Sequence, residues 1–286
     1  MPTRSPTTAT VPEHAAHPAT LVPGLADPRE HAADRLFATN LARGLQVMRA
    51  FTPDDPLLGN RELIERTGLP KATVWRLTYT LTLLGYLEYV ERFHKFRLDS
   101  GVLSLGYPLL ASMRVRHVAR PLMEAIARET DCTVNLGMRD RLNIVYIETC
   151  RVDQGNVHSP DIGSTRPLLA TAIGRALLLS LGQQERSAIL NRLRLHDAAD
   201  MARRANQLRE DERRLAEQGH CRSQGDWRAE IHAVAVPVRQ ATGESMLALN
   251  ATMAAYRTAP EALAALAVPR LREAARMIEH TLGLAP

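Results

Sequence analysis

Residues 70 to 87 contain no aspartate or glutamate, although acidic residues occur on both sides of them. Lys71 and Arg76 lie in this stretch together with four threonines. Basic and hydroxyl side chains bind the phosphates and guanine edges of duplex DNA, whereas an acid there would be repelled by the backbone. The chemistry predicted for this stretch is therefore DNA recognition.

Two short helices and a turn are predicted to position these side chains. Asn60 is a predicted N-cap of the first helix, Gly68 suits the left-handed residue that follows a helix, and Pro70 suits the first position of the second helix. At 100° per residue, one side of the second helix is predicted to pack and the other to face outward. The packed side holds Val74, Leu77, Thr78, Leu81 and Leu84, and the outward side holds Ala72, Trp75, Arg76 and Tyr79.

A hairpin and a further helix complete this predicted domain. Residues 86–90 have strand composition, and residues 92–95 form a basic turn before a second strand at 96–98. The apolar residues of 35–51 have helical spacing and are predicted to form a helix that packs behind the two helices described above. They are Leu36, Leu41, Leu45, Met48 and Phe51. The predicted DNA-contacting residues are Lys71, Ala72, Thr73, Trp75, Arg76, Tyr79, Arg92, His94 and Lys95, and for Trp75 a packing role stays open.

The composition is consistent with this hypothesis without proving it. The net charge is +5, and residues 35 to 100 hold ten lysines and arginines against seven acids. No apolar run approaches the roughly 18 residues that a membrane span needs, so a cytoplasmic protein is expected. Three widely spaced cysteines indicate buried thiols, and no metal or other cofactor is expected.

The rest of the chain alternates between helical and strand patterns. Two helices are predicted between residues 101 and 130, and a hairpin follows with strands at 133–138 and 143–148. Helices are predicted at about 171–181, 184–193, 203–218 and 260–282, and strands at 231–238 and 246–252. Strands gathered between helices indicate an α+β domain with one antiparallel sheet.

Several segments together resemble the IclR family of bacterial transcription regulators. They are 41–45, 62–74, 84–87 and 96–98 near the N-terminus, and Pro167 to Arg175 and Ala233 to Val238 further on. The resemblance covers roughly residues 35 to 282, and its specificity lies in the order and spacing of these segments. Residues 1–33 are rich in Pro, Thr, Ala and His with few large apolar residues, which predicts a flexible tail. The local patterns predict a winged helix-turn-helix at 34–100 and a linker helix at 101–117, and the resemblance implies a GAF-like effector-binding domain at 118–286.

In a regulator of this layout, a small-molecule pocket is expected between the sheet and a helix start, where free amides attract an anion. Thr171 is a predicted cap of such a helix, with small neighbours that allow a ligand to approach. Asn250 and Thr252 share one strand face, where they either bind a ligand or bond to backbone and solvent. The full predicted set is His158, Thr171, Ser223, Gln224, His232, Asn250 and Thr252, to which the resemblance adds Ala172. Trp227 is a candidate lining or lid residue, in a stretch after Gly219 where many family members have an acidic residue.

Three hypotheses follow for the function. The first is a transcription factor that binds an operator as a dimer or tetramer and responds to a small organic effector, a carboxylate or aromatic acid. The second is an enzyme with a DNA-binding appendage, in which Cys221, Asp226 and His232 meet in space, although no catalytic motif supports it. The third is an architectural DNA-binding protein without a ligand. The C-terminal domain argues against it, because about 170 residues are more than dimerisation alone requires.

Overall fold

The computed structural model describes residues 31, 33–152, 160–239 and 245–284. The chain divides into two compact units between Gly106 and Tyr107, and each is described by itself. No helix in these described ranges is long and apolar enough to cross a lipid bilayer.

The first unit is a winged helix-turn-helix, as the sequence predicted. Its core is formed by Val47, Leu63, Val74 and Leu87, which are almost completely buried. Three helices and a two-stranded antiparallel hairpin surround this core. They are α1 (Thr39–Arg49), α2 (Asn60–Thr67), α3 (Lys71–Leu83), β1 (Leu87–Val90) and β2 (Lys95–Leu98).

The ends of α2 and α3 confirm one of the three predicted signals and place the other two one residue away. Gly68 follows α2 with a left-handed φ of 63°, as predicted. Pro70 is the cap residue of α3 rather than its first helical residue, and its carbonyl accepts the amides of Thr73 and Val74. The prediction for Asn60 was wrong, because Asn60 is already helical and Gly59 is the cap residue. The carboxylate of Glu62 accepts the Gly59 amide at 3.1 Å, which is one of the two bonds of a capping box. The other bond is missing because glycine has no side-chain acceptor for the helical amides.

Helix α1 packs only in part through the predicted face. Met48 and Phe51 pack in the core as predicted, and Gly44 and Val47 are also buried, whereas Leu36, Leu41 and Leu45 are 95%, 65% and 45% exposed. Leu36 precedes the helix, and the side of α1 that faces Leu77 of α3 is the one at Gly44. On α3 the same correction applies to Leu84, which is 63% exposed although Val74, Thr78 and Leu81 are buried as predicted.

The second unit is an α+β domain with a six-stranded antiparallel sheet, which confirms the predicted class. The strand order is β5-β4-β3-β8-β7-β6. The strands are β3 (Thr133–Asp140), β4 (Asn143–Cys150), β5 (Thr165–Pro167), β6 (Cys221–Gln224), β7 (Ile231–Arg239) and β8 (Ser245–Ala254). The short strands β5 and β6 at the two edges were not predicted, since three or four residues carry too little alternation to be recognised.

Helices cover both faces of this sheet. One face packs with Met123 of α5 and Leu271 of α9, and the opposite face packs with Ile173 and Leu177 of α6. The helices are α4 (Ser100–Ser112), α5 (Arg114–Thr130), α6 (Ala172–Leu179), α7 (Gln183–His196), α8 (Ala198–Gln218) and α9 (Pro260–Thr281). Helix α8 begins five residues before the prediction because Asp197 caps it, accepting the Asp200 amide at 2.8 Å.

The junction between α4 and α5 lies at Met113, earlier than the predicted helix start at Val118. Arg116 stabilises it by donating to the Leu110 carbonyl at 3.1 Å and pairing with the Glu148 carboxylate of β4 at 3.1 Å. Glu148 is only 2% exposed. It faces α5 because β4 has a bulge at Ile147, which no residue of β3 opposes.

Candidate functional site

The outward face of α3 presents the basic and aromatic residues that the helical pattern predicted. Lys71, Ala72 and Arg76 are exposed. Trp75 and Tyr79 are 61% and 58% exposed, and their rings stack with centroids 6.1 Å apart and planes 9° apart. Trp75 therefore does not pack in the core of this unit. The exposed face of α3 is basic and also carries the two stacked aromatic rings.

Two of the four threonines of α3 donate to the backbone of the helix itself. The Thr78 hydroxyl donates to the Trp75 carbonyl at 3.1 Å, and the Thr80 hydroxyl donates to the Arg76 carbonyl at 2.8 Å. Their interaction with the backbone competes with the phosphate contacts expected for the threonines of this helix. Thr73, near the helix start, is half-buried.

The turn of the hairpin holds the remaining predicted DNA-contacting residues. The guanidinium of Arg92 lies 5.3 Å from the Phe93 ring centroid, and His94 shares a 3.1 Å hydrogen bond with the Tyr89 hydroxyl. Lys95 belongs to strand β2 rather than to the turn, and its ammonium pairs with Glu62 at 2.6 Å. Because that pair partly neutralises Lys95, the basic character of the hairpin depends more on Arg92.

In the second unit, a pocket lies between the sheet and the start of α6. Six of the residues predicted for an effector site line it: Thr171, Ala172, Ser223, Trp227, Asn250 and Thr252. Pairing places them together, because Ala233 of β7 opposes Thr252 and also opposes Ser223 of β6. The pocket floor is thus formed by one face of three neighbouring strands.

The start of α6 has the predicted capping geometry. The Thr171 hydroxyl accepts the Gly174 amide at 3.2 Å and donates to the Pro167 carbonyl at 3.2 Å. The preceding amides of the first turn have no helical acceptor and give this end a partial positive charge. Gly174 itself does not leave room for a ligand, since a Cβ there would lie 2.0 Å from the Leu168 carbonyl oxygen.

A pair of amide side chains lies beneath the pocket. Asn135 of β3 is fully buried, and its Nδ2 donates to Oδ1 of Asn250 at 2.9 Å. Among the described residues, Oδ1 of Asn135 has no hydrogen-bond partner. The pair answers one open alternative, because Asn250 faces the pocket and bonds to a side chain rather than to solvent. Thr252 also faces the pocket, while its hydroxyl donates to the Thr133 carbonyl at 3.4 Å.

The pocket walls include residues that the sequence did not single out. Tyr146 is 5% exposed and comes from β4, and the half-buried Arg166 comes from β5. The other additional residues are Pro160, Arg228, Ile231 and Ala233. Strand alternation could have found Ile231 and Ala233, which share the parity of the floor. No aspartate or glutamate is among the described residues that line the pocket, so its charged groups are cationic.

Two predicted residues lie on the wrong side of the sheet, and one cannot be placed. Gln224 and His232 oppose each other across β6 and β7, one residue out of phase with Ser223 and Ala233. Because successive strand residues point to opposite faces, both are directed away from the pocket. His158 lies outside the described residues.

The residues of the enzyme hypothesis do not converge. Cys221 is fully buried among the apolar residues packed on α6, whereas His232 points to the opposite face of the sheet. Burial raises the pKa of the Cys221 thiol well above its ordinary value, which disfavours the nucleophilic thiolate. Asp226 forms an ion pair with Arg175 at 2.8 Å. This set therefore does not form a nucleophile and base.

The phenol of Tyr146 is expected to titrate late, because burial raises the pKa of Tyr146 to about 12. Tyrosine in an unfolded chain has a pKa of about 10, so the folded state loses stability relative to the unfolded state as the pH rises from about 10 to about 12. The Tyr146→Phe variant should lose less stability than the wild type over that range in urea unfolding. Equal losses in the two proteins would contradict the assignment.

The two units together define the class of protein. A winged helix-turn-helix with a basic outward helix is joined in one chain to an α+β domain whose pocket has cationic residues in its lining. This is the domain organisation of a transcriptional regulator with an effector domain. The IclR helix-turn-helix domain matches residues 40–91, and the bacterial transcriptional regulator IclR C-terminal domain matches residues 108–280. The chain belongs to the IclR family of transcriptional regulators, which are not enzymes.

Individual relatives agree with this assignment. The chain is 36% identical over 199 residues to the HTH-type transcriptional regulator TsaQ1/TsaQ2 of Comamonas testosteroni, covering 69% of this chain and 71% of that protein. It is 28% identical to the Pca regulon regulatory protein of Pseudomonas putida, covering 98% and 94%.

Known structures share the fold. An IclR family regulator from Brucella abortus superposes with a TM-score of 0.78 at 36% identity, covering 91% of this chain and 97% of that chain. An IclR homolog from Microbacterium hydrocarbonoxydans complexed with 4-hydroxybenzoate superposes with a TM-score of 0.66 at 25% identity, covering 85% and 99%.

Proposed function

We propose that this regulator binds a small organic anion, a carboxylate of the aromatic-acid type, in the pocket beside α6. The observation that carries the proposal is the charge of the pocket, where Arg166 lies and no acidic residue is among the described lining. The start of α6 adds a partial positive charge on the same side. The apolar and aromatic walls, including Tyr146 and Trp227, suit an aromatic ring better than the polar ring of a sugar.

The floor of the pocket supports a ligand that also carries a hydrogen-bonding group. Asn250 and Thr252 reach the pocket from the sheet, and Ser223 reaches it from the edge strand. Each of these side chains has one hydrogen bond within the protein, and its remaining hydrogen-bonding capacity can serve a ligand. A hydroxylated aromatic acid satisfies the cationic rim and the polar floor together.

The same proposal assigns DNA binding to the outward face of α3 and to the hairpin. Arg76 and Lys71 are assigned to base edges or phosphates, with Trp75 and Tyr79 against sugar or thymine methyl groups. Ala72 and Thr73 allow close approach at the helix start, and Arg92, His94 and Lys95 are assigned to the backbone beside the hairpin. Residues 101–117 are proposed as the connector between the DNA-binding and effector-binding domains.

We propose that the regulator acts as a dimer or a dimer of dimers. One reading helix covers only a few base pairs, so two are needed for useful specificity. Exposed leucines on α1 and α4 support self-association. Single exposed leucines are normal on a protein surface, but several on the same helices are typical of an interface. The exposed leucines are Leu41, Leu45, Leu103, Leu105 and Leu109.

Thermal unfolding with 4-hydroxybenzoate tests the ligand class. Because a ligand that binds the folded state raises stability by mass action, the melting temperature should rise with 4-hydroxybenzoate and much less with the neutral 4-hydroxybenzamide. Arg166→Gln should weaken binding about tenfold or more, as expected for a lost hydrogen bond to a charged group. Gln224→Ala is the matched control, because this exposed residue lies on the opposite face and should leave binding unchanged.

A panel of small carboxylates and phenols extends the same measurement. If none of them shifts the melting temperature, the architectural hypothesis without a ligand is favoured. If 4-hydroxybenzamide shifts it as much as the acid does, the pocket does not select an anion.

A further inference from the structure

We propose that Asp226, held by the buried Arg175, is the residue that positions the rim of the pocket at Trp227 and Arg228 and thereby sets its affinity for the effector. Neither Asp226 nor Arg175 lines the pocket, so both act through their neighbours. The inference rests on the proposed function of the pocket for its effect on affinity. Its structural part, the placement of Trp227, can be tested without any ligand.

Arg175 is a fully buried cation that joins the walls of the pocket from behind. Its Nη1 donates to the Leu169 carbonyl at 2.8 Å, just before the cap of α6. Its Nη2 donates to the Arg222 carbonyl at 2.8 Å, next to the lining residue Ser223. The same Nη2 pairs with the Asp226 carboxylate at 2.8 Å, and Nε pairs with Asp211 at 2.6 Å. One guanidinium therefore ties the helix start, the edge strand and the turn into one unit.

Asp226 is the point where the turn after β6 is attached to two helices. Its Oδ2 accepts from Arg175 of α6 and from Nε2 of Gln207 of α8, the latter at 2.6 Å. The backbone of Asp226 joins the same arrangement, since its amide donates to the Ser223 hydroxyl at 3.3 Å and its carbonyl accepts from Arg204 at 3.3 Å. A side chain fixed by several bonds leaves its chain neighbours little freedom.

The position of Trp227 depends on this attachment. Trp227 and Arg228 are both exposed on the turn, although both line the pocket. The backbone of the turn is held by the Gly225 amide on the Ile231 carbonyl at 3.1 Å and by the Ile231 amide on the Arg228 carbonyl at 3.0 Å, and neither bond involves Trp227. A ligand gains affinity when the side chains that it meets are already ordered. Without the Asp226 bonds, the ligand would have to order the side chains of the rim as it binds, and its affinity would fall.

The variants Asp226→Asn and Asp226→Glu test the proposal in a Trp75→Phe background, where Trp227 is the sole tryptophan of the chain. Asparagine keeps the shape but removes the charge that faces Arg175, whereas glutamate restores the charge. In the ligand-free protein, acrylamide quenching of Trp227 should roughly double for Asp226→Asn, because the indole moves from 43% exposure toward full exposure. With 4-hydroxybenzoate as the probe, Kd should rise about tenfold, and Asp226→Glu should recover part of both changes.

Asp131→Asn is the matched control, since it breaks an exposed ion pair with Arg257 in the same unit. It should change neither quenching nor Kd. If Asp226→Asn lowers the melting temperature while the folded protein keeps wild-type quenching, Asp226 is merely structural and the inference is overturned. Doubled quenching with unchanged Kd also overturns it. If the wild type does not bind 4-hydroxybenzoate, the proposed ligand class fails, and the quenching result alone decides whether Asp226 places Trp227.

Discussion

The Arg76→Ala variant is expected to bind operator DNA more weakly by about 1–3 kcal/mol, which is roughly fivefold to 150-fold. Arg76 lies exposed on the outward face of α3, on the same side as Trp75 and Tyr79. An arginine at such a position reaches guanine edges in two parallel hydrogen bonds, which alanine cannot replace. Fluorescence anisotropy with the fragment upstream of the regulator's own gene measures this loss at fixed salt concentration.

Two comparisons give this measurement its meaning. Lys71→Ala should weaken binding to specific and unrelated fragments alike and lower the salt dependence, as the loss of a phosphate contact does. Arg203→Ala removes the same charge from an exposed position on α8 and should leave operator affinity unchanged. An Arg76→Ala variant that binds the operator like the wild type would remove α3 from the proposed interface.

The Gly174→Ala variant is expected to destabilise the effector-binding unit by about 3 kcal/mol, near the upper end for added atoms in a packed core. The new Cβ would lie 2.0 Å from the carbonyl oxygen of Leu168 and 2.7 Å from its carbonyl carbon. These are backbone atoms, which cannot rotate away as a side chain can. For a unit of this size the melting temperature should fall by roughly 10 °C in calorimetry.

Gly106→Ala is the matched control for this substitution. Gly106 is helical, and a Cβ there meets no atom within 4 Å. Alanine should therefore stabilise α4 slightly, by about 0.5–1 kcal/mol, because glycine is a poor helix former. If Gly174→Ala unfolds at the wild-type temperature, the close contact between α6 and residue 168 is wrong.

Local signals in the sequence predicted the parts of this fold that depend on local chemistry. Gly68 and Pro70 mark the turn between α2 and α3 because glycine and proline act through their own backbone angles. Thr171 was recognised as a cap because a threonine hydroxyl can accept an amide of the first helical turn. The packed face of α1 was predicted only in part, since Leu41 and Leu45 have helical spacing but the position of α3 decides which residues are buried.

The pocket was predicted only as far as strand parity could be assigned. Asn250 and Thr252 lie two apart on a recognisable strand, and they do share the pocket face. Gln224 and His232 were misplaced because the short strand β6 was not recognised, so its phase against β7 was unknown. The role of Arg175 had no signal in the sequence. Arginine is almost never fully buried, so its residue type alone predicts an exposed side chain.

The bulge at Ile147 divides the roles of strand β4 between the two faces of the sheet. Tyr146 is directed to the pocket and Glu148 to the helix junction, although they are only two residues apart. Point substitutions can therefore diversify the ligand-facing wall during evolution without disturbing the ion pair behind it. Deletion of Ile147 would restore regular alternation and leave Tyr146 opposite Gly137 and Glu148 opposite Leu136, so both side chains would keep their faces. Its cost would be the apolar packing of Ile147 in the core beneath α5.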